Sequence, residues 1–411
     1  MAQVLQLLLL LFVFLATSLC WDGDERDEGT GCPKRLGRNC ICGMANYRAW
    51  APNRQVYITN CTNTGFTDAS IIEAIPTETE VLIMTGNKFN RLPWNLLGIW
   101  DDHNKLEVID LTNNQIQEIQ GKSFHKVNAV KRLILDHNDL YIVSTMNHPR
   151  MFSNFHNLTE LHLTNAFTEQ VDSKWYLEDL KNVFLSSELK NLEKLHLEQN
   201  EIWEIRDNDM FCDLPNLLDI YLADNQLTEI NFSLDCLERF RYLDVSFNKI
   251  RNLKTVTREK IDKVFSPRSN ASTSTSRDYD SQIDLHGNPF RCDCEMNGMF
   301  DWLTNTPARI VNKREMRCYD GFPEYNAGIR IENVVFLECA PRKHQEYSSH
   351  TAITSSLLGV LIIITTTLLL IVLWINRVTV KEKFSPLVEN FKTSLQYSTL
   401  EKQEETPEVH V

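Results

Sequence analysis

One pattern, L-x-x-L-x-L-x-x-N-x-L with other apolar residues allowed at the Leu positions, recurs along the middle of this chain and constrains its fold more than any other feature. Leu106-x-x-Ile109-x-Leu111-x-x-Asn114-x-Ile116 and Val130-x-x-Leu133-x-Leu135-x-x-Asn138-x-Leu140 fit it fully. So do the units running from Leu192 to Ile202, Leu217 to Leu227 and Phe240 to Ile250. Partial copies end at Asn87 and Asn288, and a degenerate copy, Leu158, Leu161, Leu163, carries Ala166 where Asn should stand. Regular neighbours lie 23 to 25 residues apart. A period of that length means one short strand plus one return segment per unit. A single unit cannot bury its apolar face, so stacked units share one continuous core. Period-two alternation turns the two residues of L-x-L inward. The Asn at the strand end offers both amide donors and an acceptor to neighbouring backbone groups.

The spacing is that of leucine-rich repeats. It predicts an α/β repeat solenoid, a horseshoe with a parallel concave sheet built from about eight repeats over 76–290. Two stretches break the period. Residues 168–189 are partly helix-like around Trp175 to Lys181. Residues 251–281 contain the polar run Ser269 to Ser276, expected as a glycosylated loop.

Ten of the eleven cysteines flank or interrupt the array, and none lies in the C-terminal tail. That distribution suits an oxidising compartment. Cys40-x-Cys42 and Cys292-x-Cys294 are too closely spaced for the usual zinc pattern. Cys212 and Cys236 fall 12 and 11 residues after Asn200 and Asn225, in the same phase on adjacent coils, and are expected to be bonded. The outer clusters resemble the N- and C-terminal cysteine caps of extracellular leucine-rich-repeat proteins, here expected at 32–75 and 291–340. That resemblance implies first-to-third and second-to-fourth pairing in each cap: Cys32–Cys42, Cys40–Cys61, Cys292–Cys318 and Cys294–Cys339. Sequons stand at Asn60, Asn157, Asn231 and Asn270.

Two apolar blocks lie outside the array. Leu7 to Ala16 is too short to span a bilayer and matches the apolar core of a secretory signal, expected over 1–20 and followed by an acidic linker at 21–31. Cleavage after Cys20 would leave an even number of cysteines; cleavage after Ser18 would leave an unpaired thiol. Residues 352–375 carry no charge and are followed by Arg377, Lys381 and Lys383. A stalk at 341–351, one transmembrane helix at 352–375 and a cytoplasmic tail at 376–411 are therefore expected, a single-pass type I plasma-membrane topology.

The C-cap run Asn288-Pro289-Phe290-x-Cys292-Asp293-Cys294-x-Met296-x-x-Met299-x-x-Trp302-Leu303-x-x-Thr306 resembles the trophoblast glycoprotein family, also called Wnt-activated inhibitory factor. The degenerate middle unit with its insertion and Asn376-Arg377 at the end of the apolar helix are similar too. The resemblance implies inhibition of β-catenin-dependent Wnt signalling at the cell surface through the LDL-receptor-related Wnt co-receptor. The alternative is a leucine-rich-repeat adhesion receptor acting in trans.

Protein partners are expected on the concave face. Its central column reads Asp110, Ile134, His162, His196, Tyr221, Asp244 and Asp284, with Arg132, Asp136, Lys194, Glu198, Asp219 and Tyr242 beside it. The alternative is a merely solvated face. Tyr319 and Phe322 in the C-cap form a second candidate surface, or core packing within the cap. In the tail, Tyr397-x-x-Leu400 fits an endocytic sorting motif. Val409-His410-Val411 fits a PDZ ligand, and so a cytoplasmic PDZ partner. The histidines read as surface polar groups rather than metal ligands, so no metal or cofactor is expected. No G-x-S-x-G, H-E-x-x-H or phosphate loop occurs and no catalytic residue is assigned. Acidic residues outnumber basic ones, 55 to 42, which argues against nucleic acid.

Overall fold

A computed structural model describes residues 26–27, 29–99, 102–142, 150–187, 189–265, 281–339 and 349–376. The expected signal segment, residues 266–280 with the polar run Ser269 to Ser276 and Asn270, and the tail motifs at Tyr397, Leu400 and Val409 to Val411 lie outside the described residues. The chain divides into two units, Met1–Ala340 and Pro341–Val411.

The first unit is a leucine-rich-repeat solenoid whose main sheet has eleven strands. It opens with the antiparallel hairpin β1 (Ile41–Asn46) and β2 (Gln55–Asn60) of the N-cap. Eight three-residue strands follow in parallel, each in register with the next. They are β3 (Val81–Ile83), β4 (Val108–Asp110), β5 (Arg132–Ile134), β6 (Glu160–His162), β7 (Lys194–His196), β8 (Asp219–Tyr221), β9 (Tyr242–Asp244) and β10 (Gln282–Asp284). The C-cap adds β11 (Arg309–Val311) beside β10. Both caps thus continue the sheet, so neither end of the array exposes an unpaired repeat strand.

Every middle residue of the eight strands, from Leu82 and Ile109 to Leu243 and Ile283, is fully buried. Each such Leu or Ile contributes roughly 1.5–3 kcal/mol relative to exposure. The return segments fill the other side of the core with fully buried Phe124, Phe155, Phe211 and Phe232. Phe124 and Phe155 of successive coils lie 4.9 Å apart.

The repeat asparagines form a buried ladder. Asn114 Nδ2 donates to Leu111 O at 2.8 Å and to Met84 O at 3.1 Å, while its Oδ1 accepts from Asn87 N at 3.1 Å. Asn200, Asn225 and Asn248 repeat this cross-coil bonding. Ala166 leaves a gap in the ladder. There Leu140 N turns to the Ala166 carbonyl instead, at 2.8 Å.

The insertion after Ala166 is the helix α1 (Ser173–Ser187). Tyr176, Leu177, Leu180, Val183 and Phe184 make its buried stripe at helical spacing. Phe167 stacks on Tyr176 at 4.4 Å, and the Tyr176 hydroxyl donates to Asn200 O. In the second insertion the described residues Thr255–Phe265 form a helix, α2, with Ile261 and Phe265 buried. The single buried pair at i and i+4 was too faint to stand out beside the Ser/Thr run. Asp262 of α2 accepts from Trp302 Nε1 at 2.7 Å and from Thr306 Oγ1 at 2.5 Å. Trp302 sits on α3 (Asn297–Asn305), so α2 bolts the array to its C-cap.

Five disulfides close the unit. Cys32–Cys42 and Cys40–Cys61 lie in the N-cap; Cys292–Cys318 and Cys294–Cys339 lie in the C-cap. Cys212–Cys236 joins neighbouring coils with Cα atoms 5.5 Å apart.

The second unit contains α4, Ser349–Ile375. Among the described residues, no helix is long and apolar enough to cross a membrane.

Candidate functional site

Parallel in-register strands place residues of equal phase about 4.8 Å apart, close to the stacking distance of flat rings. The third positions of β6, β7 and β8 use this. His162 and His196 stack at 4.0 Å and 7°, and His196 and Tyr221 at 4.1 Å and 6°. Tyr242, at the first position of β9 and so diagonal to Tyr221, extends the row at 5.3 Å, tilted by 57°. All four rings are partly exposed on the outer face of the sheet. Burial pushes the Tyr221 phenol up to about 12, so it stays neutral.

Two charged rows flank the rings. On one side every cation is already engaged. Glu160 accepts from Lys194 Nζ at 2.7 Å and pairs with Arg132. Burial pushes the Glu160 carboxyl up, but bonding to His162 and Lys194 and the Arg132 charge outweigh it and hold it far below the usual carboxylate range. Arg241 pairs with Asp219, which is buried. On the other side stand Asp136 and Glu198, with Asp244 at the end of the ring row. Thr164 bridges the first two: its N–H donates to Asp136 at 2.7 Å and its hydroxyl to Glu198 at 3.0 Å. Among the described ion pairs, none joins Asp136, Glu198 or Asp244 to a Lys or Arg; Glu198 meets only His196, at 3.0 Å. Burial raises the carboxyls of Asp136 and Asp244; Glu198 adds to both and Asp284 to Asp244, against the Thr164 N–H and the His162 and His196 rings on Asp136 and Ser246 on Asp244.

The N-terminal part of the face is covered. The β1–β2 connection folds over it, so Tyr47 and Trp50 pack against Val81 and Val108. Trp50 Nε1 donates to Glu107 at 2.8 Å, and Arg132 lies over the Trp50 ring and donates to Ala49 O at 3.1 Å. Asp110 lies close enough to the Tyr47 phenol to raise it, after burial. Sequence reasoning missed this cover, because nothing in the hairpin's residues says which way its turn folds.

The expected contact residues therefore divide. Ile134, His162, His196, Tyr221, Tyr242 and Asp244 share one partly exposed surface. Arg132 is consumed by Glu160 and Ala49, and Asp110 accepts from Thr112 N and Oγ1. Asp284 is only 3% exposed, held by His286 and by Asn312 of the C-cap, so it leaves the accessible set. In the C-cap, Tyr319 is 70% exposed, whereas Phe322 is half-buried and its backbone bonds Cys292 and Glu338. Tyr325, Val335 and Phe336 are exposed there as well. Among the described residues no group of three His, Cys, Asp or Glu side chains could hold a metal ion.

A second amide row also escaped the sequence reading. Asn157, Asn191 and Asn216, each just before the first Leu of its unit, donate to Asn128, His156 and Lys190 carbonyls one coil back. Their shared position was the available signal. Of the sequons, Asn157 thus has a structural bond, Asn231 Nδ2 donates to Ile205 O, and Asn60 Oδ1 accepts from Thr62.

The leucine-rich-repeat family model matches residues 80–140, 104–166 and 190–250, leaving out α1 and α2. Trophoblast glycoprotein of Macaca fascicularis is 23% identical over 78% of this chain and 73% of its own length. The crystal structure of human 5T4 (Wnt-activated inhibitory factor 1, trophoblast glycoprotein) superposes with a TM-score of 0.59 at 21% identity. It covers 74% of this chain and 99% of that one. The chain is a capped leucine-rich-repeat protein related to trophoblast glycoprotein. Lumican of Mus musculus is 34% identical over 151 residues, so the chain spans 39% of lumican's length. Within this capped leucine-rich-repeat protein, the ring row spans four neighbouring coils, β6 to β9, on either side of the α1 insertion.

Proposed function

We propose that this chain is a cell-surface glycoprotein that binds extracellular or membrane proteins on the sheet face around His162, His196, Tyr221 and Tyr242 and inhibits β-catenin-dependent Wnt signalling. The observation that carries the binding role is the half-open row of four rings, hydrogen-bonded and ionic on both flanks. Rigid aromatics with polar neighbours are the usual anchors of protein interfaces. The Wnt role, and the LDL-receptor-related co-receptor as partner, rest on the kinship with trophoblast glycoprotein. Membrane anchoring rests on the uncharged run from Ala352 to Ile375 and the Arg377, Lys381 and Lys383 that follow it. Exposed Tyr319, with Phe322 behind it, is a second contact surface. In the tail, Tyr397 and Leu400 would serve endocytosis, and Val409-His410-Val411 would serve PDZ binding.

A β-catenin reporter in cells carrying the full-length chain tests this. The wild type is expected to lower the reporter, and His196→Ala with Tyr221→Ala to relieve that inhibition at equal surface level. Tyr319→Ala with Phe322→Ala asks the same of the C-cap. No change in reporter activity with the wild type, together with cell aggregation, would move the function to adhesion in trans.

A further inference from the structure

Three carboxylates beside the ring row have no Lys or Arg partner among the described ion pairs, although other carboxylates of the row have. Arg132, Lys194 and Arg241 are the cations nearest the rings, and Glu160 and Asp219 already neutralise them. Asp136, Glu198 and Asp244 have only hydroxyl, backbone N–H and imidazole partners: Thr164, Ser246, the Tyr242 hydroxyl and His196. Their charges also repel one another, since Glu198 raises both Asp136 and Asp244. His162 and His196 are the titratable groups facing Asp136 and Glu198, and neither supplies the permanent charge of a Lys or Arg, whereas a cation arriving from outside relieves both the desolvation and the repulsion. The adjacent rings would receive the apolar stem of a long side chain.

We propose that the Asp136–Glu198–Asp244 side of the ring row is a receptor for a cationic segment, an arginine- or lysine-bearing stretch of a protein partner. The proposal rests on the reading of this face as protein-binding and adds the chemistry of what it binds. A guanidinium is favoured over an ammonium, because its fork can engage two carboxylate oxygens at once.

The test uses the full-length chain and a fluorescein-labelled tetra-arginine peptide, followed by anisotropy. Glu198→Gln with Asp244→Asn should weaken binding at least about tenfold, the order expected for losing charge-assisted bonds. Glu238→Gln with Glu259→Gln removes the same charge at exposed positions elsewhere and should change it by less than about twofold. Equal weakening by both pairs would reduce the effect to net charge and overturn the proposal. A tetra-lysine peptide should bind more weakly than tetra-arginine. A further variant, Tyr221→Asn with Ala223→Thr, places a glycan on the face whatever the partner's chemistry. If that glycan abolishes labelling of partner proteins on living cells while the neutralised pair leaves labelling intact, the cationic partner falls and the binding face stands. If the glycan changes nothing, both fall. Unchanged thermal unfolding of the neutralised pair keeps a misfolded variant from posing as a loss of site.

Discussion

The two halves of the sheet face share one backbone and differ in what they leave open. Under β3 and β4 the outward residues are largely aliphatic, Val81, Ile83 and Val108, and the N-cap connection with Tyr47 and Trp50 lies over them. Under β6 to β9 they are His162, His196, Tyr221 and Tyr242, and no cap segment lies on them among the described contacts. Aliphatic side chains on an outer face must be covered, while stacked polar-tipped rings tolerate water. Strand geometry therefore supplies a scaffold, and the outward residues of each strand decide whether that scaffold is closed or offered.

The largest expected effect breaks the frame both halves share. Asn114→Ala should cost about 3 kcal/mol, seen as a lower unfolding midpoint in urea, because it strands the Asn87 N–H in a dry interior and removes one of the two amide donors on each of the Met84 and Leu111 carbonyls, which keep Asn87 and Asn138. The same loss at Ala166 is already absorbed by the Leu140 N–H, so Ala166→Asn should not return an equal gain.

Glu160→Gln comes next, at about 2 kcal/mol, since Arg132 and Lys194 lose their common counter-charge. Its sign with pH is fixed by the depressed carboxyl. Glu160 contributes stability above the ordinary carboxylate range and loses it as pH falls through that range toward the folded-state value. The variant should therefore narrow its deficit as unfolding is measured at falling pH; a constant deficit would reject the ion pair as its source.

Trp50→Ala should cost about 1.5 kcal/mol and sharpen the comparison directly. Hydrogen exchange at Val108 and its neighbours should speed up while β7 and β8 stay unchanged. Uniform exchange in both halves would mean the cover is not a local one. Tyr221→Ala is the smallest, about 1 kcal/mol, from the loss of its stacking with His196 and Tyr242. Its effect on binding should exceed its effect on the unfolding midpoint.

The repeat, its phase and the outward column were legible because each depends on spacing alone. Leu133 and Leu135 mark an inward pair without knowledge of neighbours, and register then follows from equal coil length. The Cys212–Cys236 bridge was legible for the same reason: equal phase means adjacency. The cap bridges were carried by family likeness, since four cysteines permit three pairings. The α2 helix was obscured by the Ser/Thr run beside it, and its reason for being, Asp262 against Trp302 and Thr306, lies 40 and 44 residues away. Asp284 looked like its equivalents Asp110 and Asp244, yet the C-cap closes over it through Asn312.

By itself, then, the order of residues determined a stacked coil with a leucine core, an asparagine ladder and a row of His and Tyr in one column. These follow from local periodicity, which each unit expresses whatever surrounds it. Only the tertiary structure decided which part of that column meets solvent. It also decided which cations are already spent and which carboxylates stay unmatched. Those outcomes depend on where segments distant in sequence come to rest, the Trp50 turn at one end and Asn312 at the other. No spacing rule reaches across that distance.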